Sequence, residues 1–292
     1  NAHNTPTASN APQAQFLAPQ THQTAAKVGT EFSHILQEAL TKPGIVNEAY
    51  RAFRNYSIGN QILAAIQLSA KGLPLSPIAS FNAWKEKGRS VKKGEKAISL
   101  FMPVPVKSRA KSSAAAAIAD SDDAQGGTFN VFMLRANWFS LDQTHGEDFA
   151  PEQVTPMWDA ATAMAALDIR EVRFDELLGN RLGYATADRT IAISPLNNLK
   201  HKTRFHELAH IVLGHTAEGD VIDGPETPRS LMEAEAESVA YILCTLLDLP
   251  GQAESRAYIQ GWLAGAELPE KSAKKIFGAA DKIMKAGQPI TH

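Results

Sequence analysis

Residues 203 to 215 read Thr-Arg-Phe-His-Glu-Leu-Ala-His-Ile-Val-Leu-Gly-His, and no other stretch restricts the possible folds of this chain so strongly. Residues four apart lie on one face of a helix, so His206 and His210 can present two imidazoles to a single ion, with Glu207 beside them. Leu208, Ala209, Ile211, Val212 and Leu213 make the same helix half-buried, so other elements must cover its far side. Two neutral imidazoles and one carboxylate around zinc leave a fourth tetrahedral position for water, whose pKa falls toward about 7. Glu207 is placed to take that water's proton. The motif therefore predicts a metal centre with one Zn2+, His206 and His210 as ligands and Glu207 as general base.

Composition agrees with a folded chain of about two domains: 292 residues, 44% hydrophobic and 7% aromatic. No apolar run approaches the roughly 18 residues that span a bilayer, and the first residues lack a charged segment followed by an apolar one. A cytoplasmic protein with no membrane partner is expected. The single cysteine, Cys244, excludes an internal disulfide and reads as a buried small side chain.

The net charge of -2 conceals a division. Residues 27 to 111 hold 14 Lys/Arg against 5 Asp/Glu, and residues 112 to 292 hold 15 against 26. A basic part joined to an acidic part suggests a polyanion-binding module attached to something else.

Residues 1 to 28, rich in Ala, Gln, Thr, Asn and Pro, read as a disordered tail. Helical spacing of Phe32, Ile35, Leu36 and Leu40 stops near Pro43-Gly44, and a second helix is expected from about 46 to 70. A basic segment follows, Phe81-Asn82-Ala83-Trp84-Lys85-Glu86-Lys87-Gly88-Arg89-Ser90-Val91-Lys92-Lys93-Gly94-Glu95-Lys96. Its cations can follow phosphates and its aromatics can stack on bases, as sequence-tolerant single-strand binding requires; a core Trp84 beside a solvated lysine turn would satisfy the same residues. A strand at 97 to 102 pairs with one at 128 to 134, and the Ser/Ala/Asp/Gly-rich stretch 107 to 127 between them reads as a flexible insertion. Beyond a linker near 146 to 151, Trp158 faces the core from a helix at 156 to 167. Residues 181 to 194 alternate with period two around Ala187-Asp188-Arg189 and read as a hairpin.

Asn60 on a helix, Trp84, Gly88-Arg89, Val91, Lys93-Gly94-Glu95, a strand pair, and Phe139 through Gln143-Thr144 together resemble the N-terminal domain of the ArdC-type antirestriction proteins of conjugative plasmids. The resemblance extends over residues 31 to 285. It implies an α+β protein of two domains, a small α+β domain binding single-stranded DNA (29 to 147) and a zincin-like metalloprotease domain (148 to 292) acting on an unknown protein substrate. It makes Trp84, Arg89, Lys93 and Lys96 candidates for DNA contact, and Lys92 joins them from the basic segment. It also implies that the second strand of the 181 to 194 hairpin, 190 to 194, is an edge strand bordering the metal cleft, and a role in protecting incoming plasmid DNA from restriction.

The third ligand is sought among Glu233, Glu235 and Glu237. His215, five residues after His210, does not fit metzincin spacing and reads as a cleft residue or a support for a ligand. At 100° per residue, Met232, Glu235, Val239, Ile242 and Leu246 form one apolar stripe, where an ionised carboxylate needs a metal; this selects Glu235. Glu235-Ala236 with Ala240 is similar to the third motif of ImmA/IrrE-type metalloproteases, whereas ArdC-type relatives favour the position of Glu237. Glu237 and Glu233 stay open as alternatives, and a glutamate that is not a ligand can orient a ligand histidine.

Overall fold

The computed structural model describes residues 30–42, 44–107, 128–150, 157–175, 181–216, 228–263 and 268–288. The expected tail and nearly all of the expected insertion lie outside the described residues.

The chain opens with three helices, α1 (Phe32–Thr41), α2 (Ile45–Phe53) and α3 (Ile58–Ala70). The single helix expected over 46 to 70 is thus two. No Pro or Gly lies at the break, so its cause is tertiary. Tyr56 leaves the helical path to donate its hydroxyl to the Ile78 carbonyl at 3.0 Å, and the freed N–H of Ile58 is accepted by the Asp281 carboxylate at 3.0 Å. A side chain 223 residues away thus caps α3.

A β layer follows: β1 (Ile78–Ser80), the short helix α4 (Phe81–Glu86), β2 (Arg89–Val91), β3 (Ile98–Lys107), β4 (Thr128–Ser140) and β5 (Thr144–Gly146). Strands β1, β4 and β3 form an antiparallel sheet in that order, with β3 and β4 in register from Ile98↔Trp138 to Lys107↔Thr128. Strands β2 and β5 make a separate ribbon. There Gly146, at φ 136°, comes so close to Gly88 that a Cβ on it would lie 2.3 Å from the Gly88 carbonyl oxygen, which only glycine allows.

The second part contains α5 (Ala160–Leu167), β6 (Arg170–Val172), β7 (Gly183–Ala185), β8 (Thr190–Ile193), α6 (Lys200–Leu213), α7 (Arg229–Leu246), α8 (Gln252–Leu263) and α9 (Glu270–Ala286). Here β8 lies in the middle, parallel to β6 and antiparallel to β7. The hairpin expected at 181 to 194 forms, but its first strand, not its second, is the edge. All four residues of β8 are buried, which is the burial of a central strand.

Helix α7 is the hub, buried on all sides from Ala234 to Leu246 and packed on α6, α8 and α9. Cys244 lies there, and burial pushes its thiol up to about 12, which leaves it inert. The N-terminal helices join the same core: Tyr241 donates to the Ala39 carbonyl, Asn47 to the Thr245 carbonyl, and Ser33 N–H to Glu270. Hydrophobic packing therefore runs continuously across the position 147/148. Trp158 caps one end, its ring edge-on to the fully buried Phe205 of α6 at 4.7 Å and its N–H on the Ile283 carbonyl.

Candidate metal centre

Helix α6 lies against β7 and β8 on one side and α7 on the other. Its period puts Lys202, His206 and His210 on one stripe facing α7, where Glu233 and Glu237, also four apart, face back. The two stripes interleave. His206 Nδ1 lies 2.9 Å from Glu237 Oε2, and the other Glu237 oxygen is 2.6 Å from Lys202 Nζ. On the cleft side, His206 Nε2 and His210 Nε2 are 3.1 Å apart, and Glu233 Oε2 is 3.3 Å from the first and 3.7 Å from the second.

These three atoms form the candidate site. Ligands about 2.0 to 2.1 Å from a tetrahedral zinc are separated by roughly 3.3 Å, which is the spacing seen. His206, His210 and Glu233 are also the group among the described residues whose ligand atoms lie close enough together to hold one ion. The donor chemistry agrees. An ionised Glu237 can only accept, so His206 Nδ1 carries a hydrogen and Nε2 is the nitrogen turned toward His210 and Glu233, where an ion can replace its proton. Donor atoms converging on one spot require positive charge there, a metal ion or, without one, a proton. The electrostatics show the same bias: burial disfavours the charged His206 imidazole, yet Glu233, Glu237 and Glu207 together raise its pKa to about 9. The His206 imidazole beside it, and then His210, hold the Glu233 carboxyl far below the usual range. Burial opposes ionisation of Glu237, but His206 and Lys202 bring it down to about 2.

Glu235 does not meet this group. Its carboxylate is 2.9 Å from His215 Nε2, and the His215 Nδ1 in turn lies 3.0 Å from His210 Nδ1. Glu235, the expected third ligand, is thus placed behind His210, and the carboxylate oxygen beside the two imidazoles is that of Glu233. The stripe argument assumed a helix buried on one face; α7 is buried all round, so an apolar stripe does not mark the metal side. The missed signal was the spacing itself, Glu233 and Glu237 four apart opposite His206 and His210 four apart.

Glu207 lies on the adjacent face of α6, 8% exposed, and burial raises its carboxyl above the usual carboxylate range despite the two imidazoles. A Cβ on Gly183 would stand 2.6 Å from the Thr203 methyl and 3.1 Å from Glu207 Oε1 and from the Ala192 carbonyl. Strand β7 thus comes within contact of the base because residue 183 is glycine. Residues 181 to 185 form one wall of an open cleft of about 710 Å³ that also contains Thr203, Met232 and Tyr258 beside the three donors and Glu207.

The basic segment is placed differently from its reading as a nucleic-acid face. Trp84 is fully buried, its N–H on the Phe139 carbonyl at 2.8 Å and its ring edge-on to Phe149, so it has no face for a base. Arg89 is a clamp across the β2–β5 ribbon, bonding Thr144 Oγ1 at 2.8 Å and the Glu147 carbonyl. Lys92 is exposed but donates to the Asp142 carbonyl at 2.8 Å. Lys93 and Lys96 are exposed. Of the two aromatics in the segment, Phe81 is the exposed one, at 49%.

These features define a class: an α+β protein in which a basic, strand-rich N-terminal part shares a core with a helical part carrying His-Glu-x-x-His opposite a glutamate helix. Residues 37–136 match the family model for the N-terminal domain of anti-restriction factor ArdC. Its fold is similar to that of the antirestriction ArdC protein from the R388 plasmid in its Mn(II)-bound structure, at 18% identity and a TM-score of 0.51, over 89% of this chain and 99% of that one. The metal-free structure of the R388 protein aligns at 20% identity and a TM-score of 0.49, over 87% and 94%. No curated protein sequence matches the chain. No described helix is long and apolar enough to cross a membrane.

Proposed function

We propose that this protein is an antirestriction factor that binds single-stranded DNA without sequence preference through its N-terminal domain and cleaves a protein substrate at a zinc site held by His206, His210 and Glu233. The convergence of two Nε2 atoms and one carboxylate oxygen within 3.1 to 3.7 Å supports the metal centre. Two imidazoles with one carboxylate suit Zn2+; the same set accepts Mn2+, the ion bound in the R388 protein.

A divalent ion held there supplies Lewis acidity toward a scissile carbonyl and acidifies water. The chain's own groups do the rest. Glu207, with its raised pKa, takes a proton from the attacking water and returns it to the leaving amine. Glu237, fixed by Lys202, holds the His206 ring with Nε2 toward the cleft. The outer edge of β7 offers main-chain donors and acceptors to an extended peptide. Exposed Lys93 and Lys96 act on phosphates, while Trp84 and Arg89 shape the domain that carries them.

Glu207→Gln tests the catalytic assignment. It keeps the ligand set, so the variant retains its metal and loses peptidase activity by about 10²- to 10⁴-fold. Protection of transferred DNA by this variant at the wild-type level would assign antirestriction to DNA binding alone.

A further inference from the structure

His215 and Glu235 have no part in the steps above, yet their side chains are 3% and 1% exposed and lie in line behind a ligand. The protons along that line follow from elementary rules. An ionised carboxylate only accepts, so the 2.9 Å contact to Glu235 puts the His215 proton on Nε2. A neutral imidazole carries a single ring hydrogen, so in neutral His215 the Nδ1 is then a lone pair. It faces His210 Nδ1 at 3.0 Å, and two lone pairs cannot share that distance, so His210 Nδ1 carries a hydrogen and donates it. His210 is thereby left with its lone pair on Nε2, toward His206 and Glu233.

We infer that His215 and Glu235 are a positioning pair that fixes His210 in the Nδ1–H tautomer and so presents its Nε2 as a metal donor. The backbone is shaped for this. Gly214, at φ 79°, ends α6 in the left-handed conformation, and the His215 N–H returns to the His210 carbonyl at 2.9 Å, which folds the second imidazole back onto the first. The two ligand histidines are oriented by different devices, His206 by a carboxylate locked to Lys202 and His210 by an imidazole and a carboxylate in series. Carboxylate-anchored ligand histidines are a general means of tuning metal affinity by about 10- to 100-fold. This inference rests on the metal-centre reading of the same site.

The test uses the full chain. In the zinc-free protein, ¹⁵N NMR of labelled histidines reads the His210 tautomer directly, and competition with a chromophoric chelator reads Zn(II) affinity. Three variants are compared: His215→Phe, which removes the acceptor; His215→Asn, which keeps a carbonyl oxygen as acceptor; and the double variant His215→Phe/Glu235→Leu, which leaves no buried unpaired carboxylate. Wild type is expected to show Nδ1–H at His210. The double variant is expected to melt, without zinc, at or above the wild-type temperature, to lose the single tautomer and to bind Zn(II) about 10- to 100-fold more weakly, with His215→Asn recovering part of the loss. A folded double variant with wild-type Zn(II) affinity would overturn the inference, as would Nε2–H at His210 in wild type. Absence of Zn(II) uptake by wild type would defeat the metal-centre reading instead. The tautomer would then decide alone: Nδ1–H lost in His215→Phe upholds the positioning pair, and Nδ1–H retained there refutes it.

Discussion

Glu235 lies about 200° around α7 from both Glu233 and Glu237, which share the face toward α6, so it meets a different partner. On the proposed function Glu233 completes the donor set, while Glu235 is bonded to His215 and Glu237 to His206. Glu233→Ala is accordingly expected to reduce Zn(II) affinity by more than 100-fold, and Glu237→Ala by about 10- to 100-fold; equal and small losses in isothermal titration would contradict the division of roles. His206, Glu207 and His210 were legible in the sequence because one helical spacing encodes both their shared face and their chemistry. Glu233 was not, because its role depends on which side of α7 meets α6. Trp84 shows the same limit from the other direction: aromatic residues among lysines read equally well as a stacking surface or as a core. The structure decides for the core, so Trp84→Ala is expected to destabilise the domain by about 3 to 5 kcal/mol, seen as a lowered melting temperature.

At the level of elements, the departures from sequence expectation share one origin, contacts far apart in the chain. Helix α3 begins where it does because Asp281 of α9 accepts the Ile58 N–H, and no local signal announces this. Burial raises the Asp281 carboxyl to about 6 from its ordinary 3.8. The folded chain therefore binds this proton more tightly than the unfolded chain, so the group lowers stability as pH rises from about 4 to about 6, with no further change above that. Asp281→Asn keeps an acceptor for Ile58 and removes the charge. It is expected to flatten that part of the pH profile and to raise stability at pH 7 by about 1 to 3 kcal/mol; denaturant melts at pH 4, 5, 6 and 7 check both. Strand order is the second departure. Period-two alternation located the hairpin of β7 and β8 but not its edge, which β6 decides by pairing with β8. Because β7 lies against the base, Gly183→Ala is expected to cut peptidase activity at least tenfold while leaving the N-terminal sheet intact, as activity assays and far-UV circular dichroism would show.

For the whole molecule, the charge division was legible as a basic part and an acidic part, and the metal motif falls in the acidic one. What composition could not show is that the two parts share a core, with α1, α2 and α3 packed on α7 and α9. Helix α7, which carries the third donor, is tied directly to α1 and α2 through Tyr241 and Asn47. On the proposed function, single-stranded DNA affinity falls with salt, and Lys93→Glu with Lys96→Glu weakens binding and reduces the slope of log K against log salt by about 0.7 for each phosphate contact removed. Retention of both affinity and slope would move the DNA face away from the basic segment. The central claim is the donor set, and anomalous diffraction from zinc-soaked crystals measures it most directly. The account predicts one peak about 2.0 to 2.2 Å from His206 Nε2, His210 Nε2 and a Glu233 oxygen; a peak bound to Glu235 or His215, or none in the cleft, would contradict it.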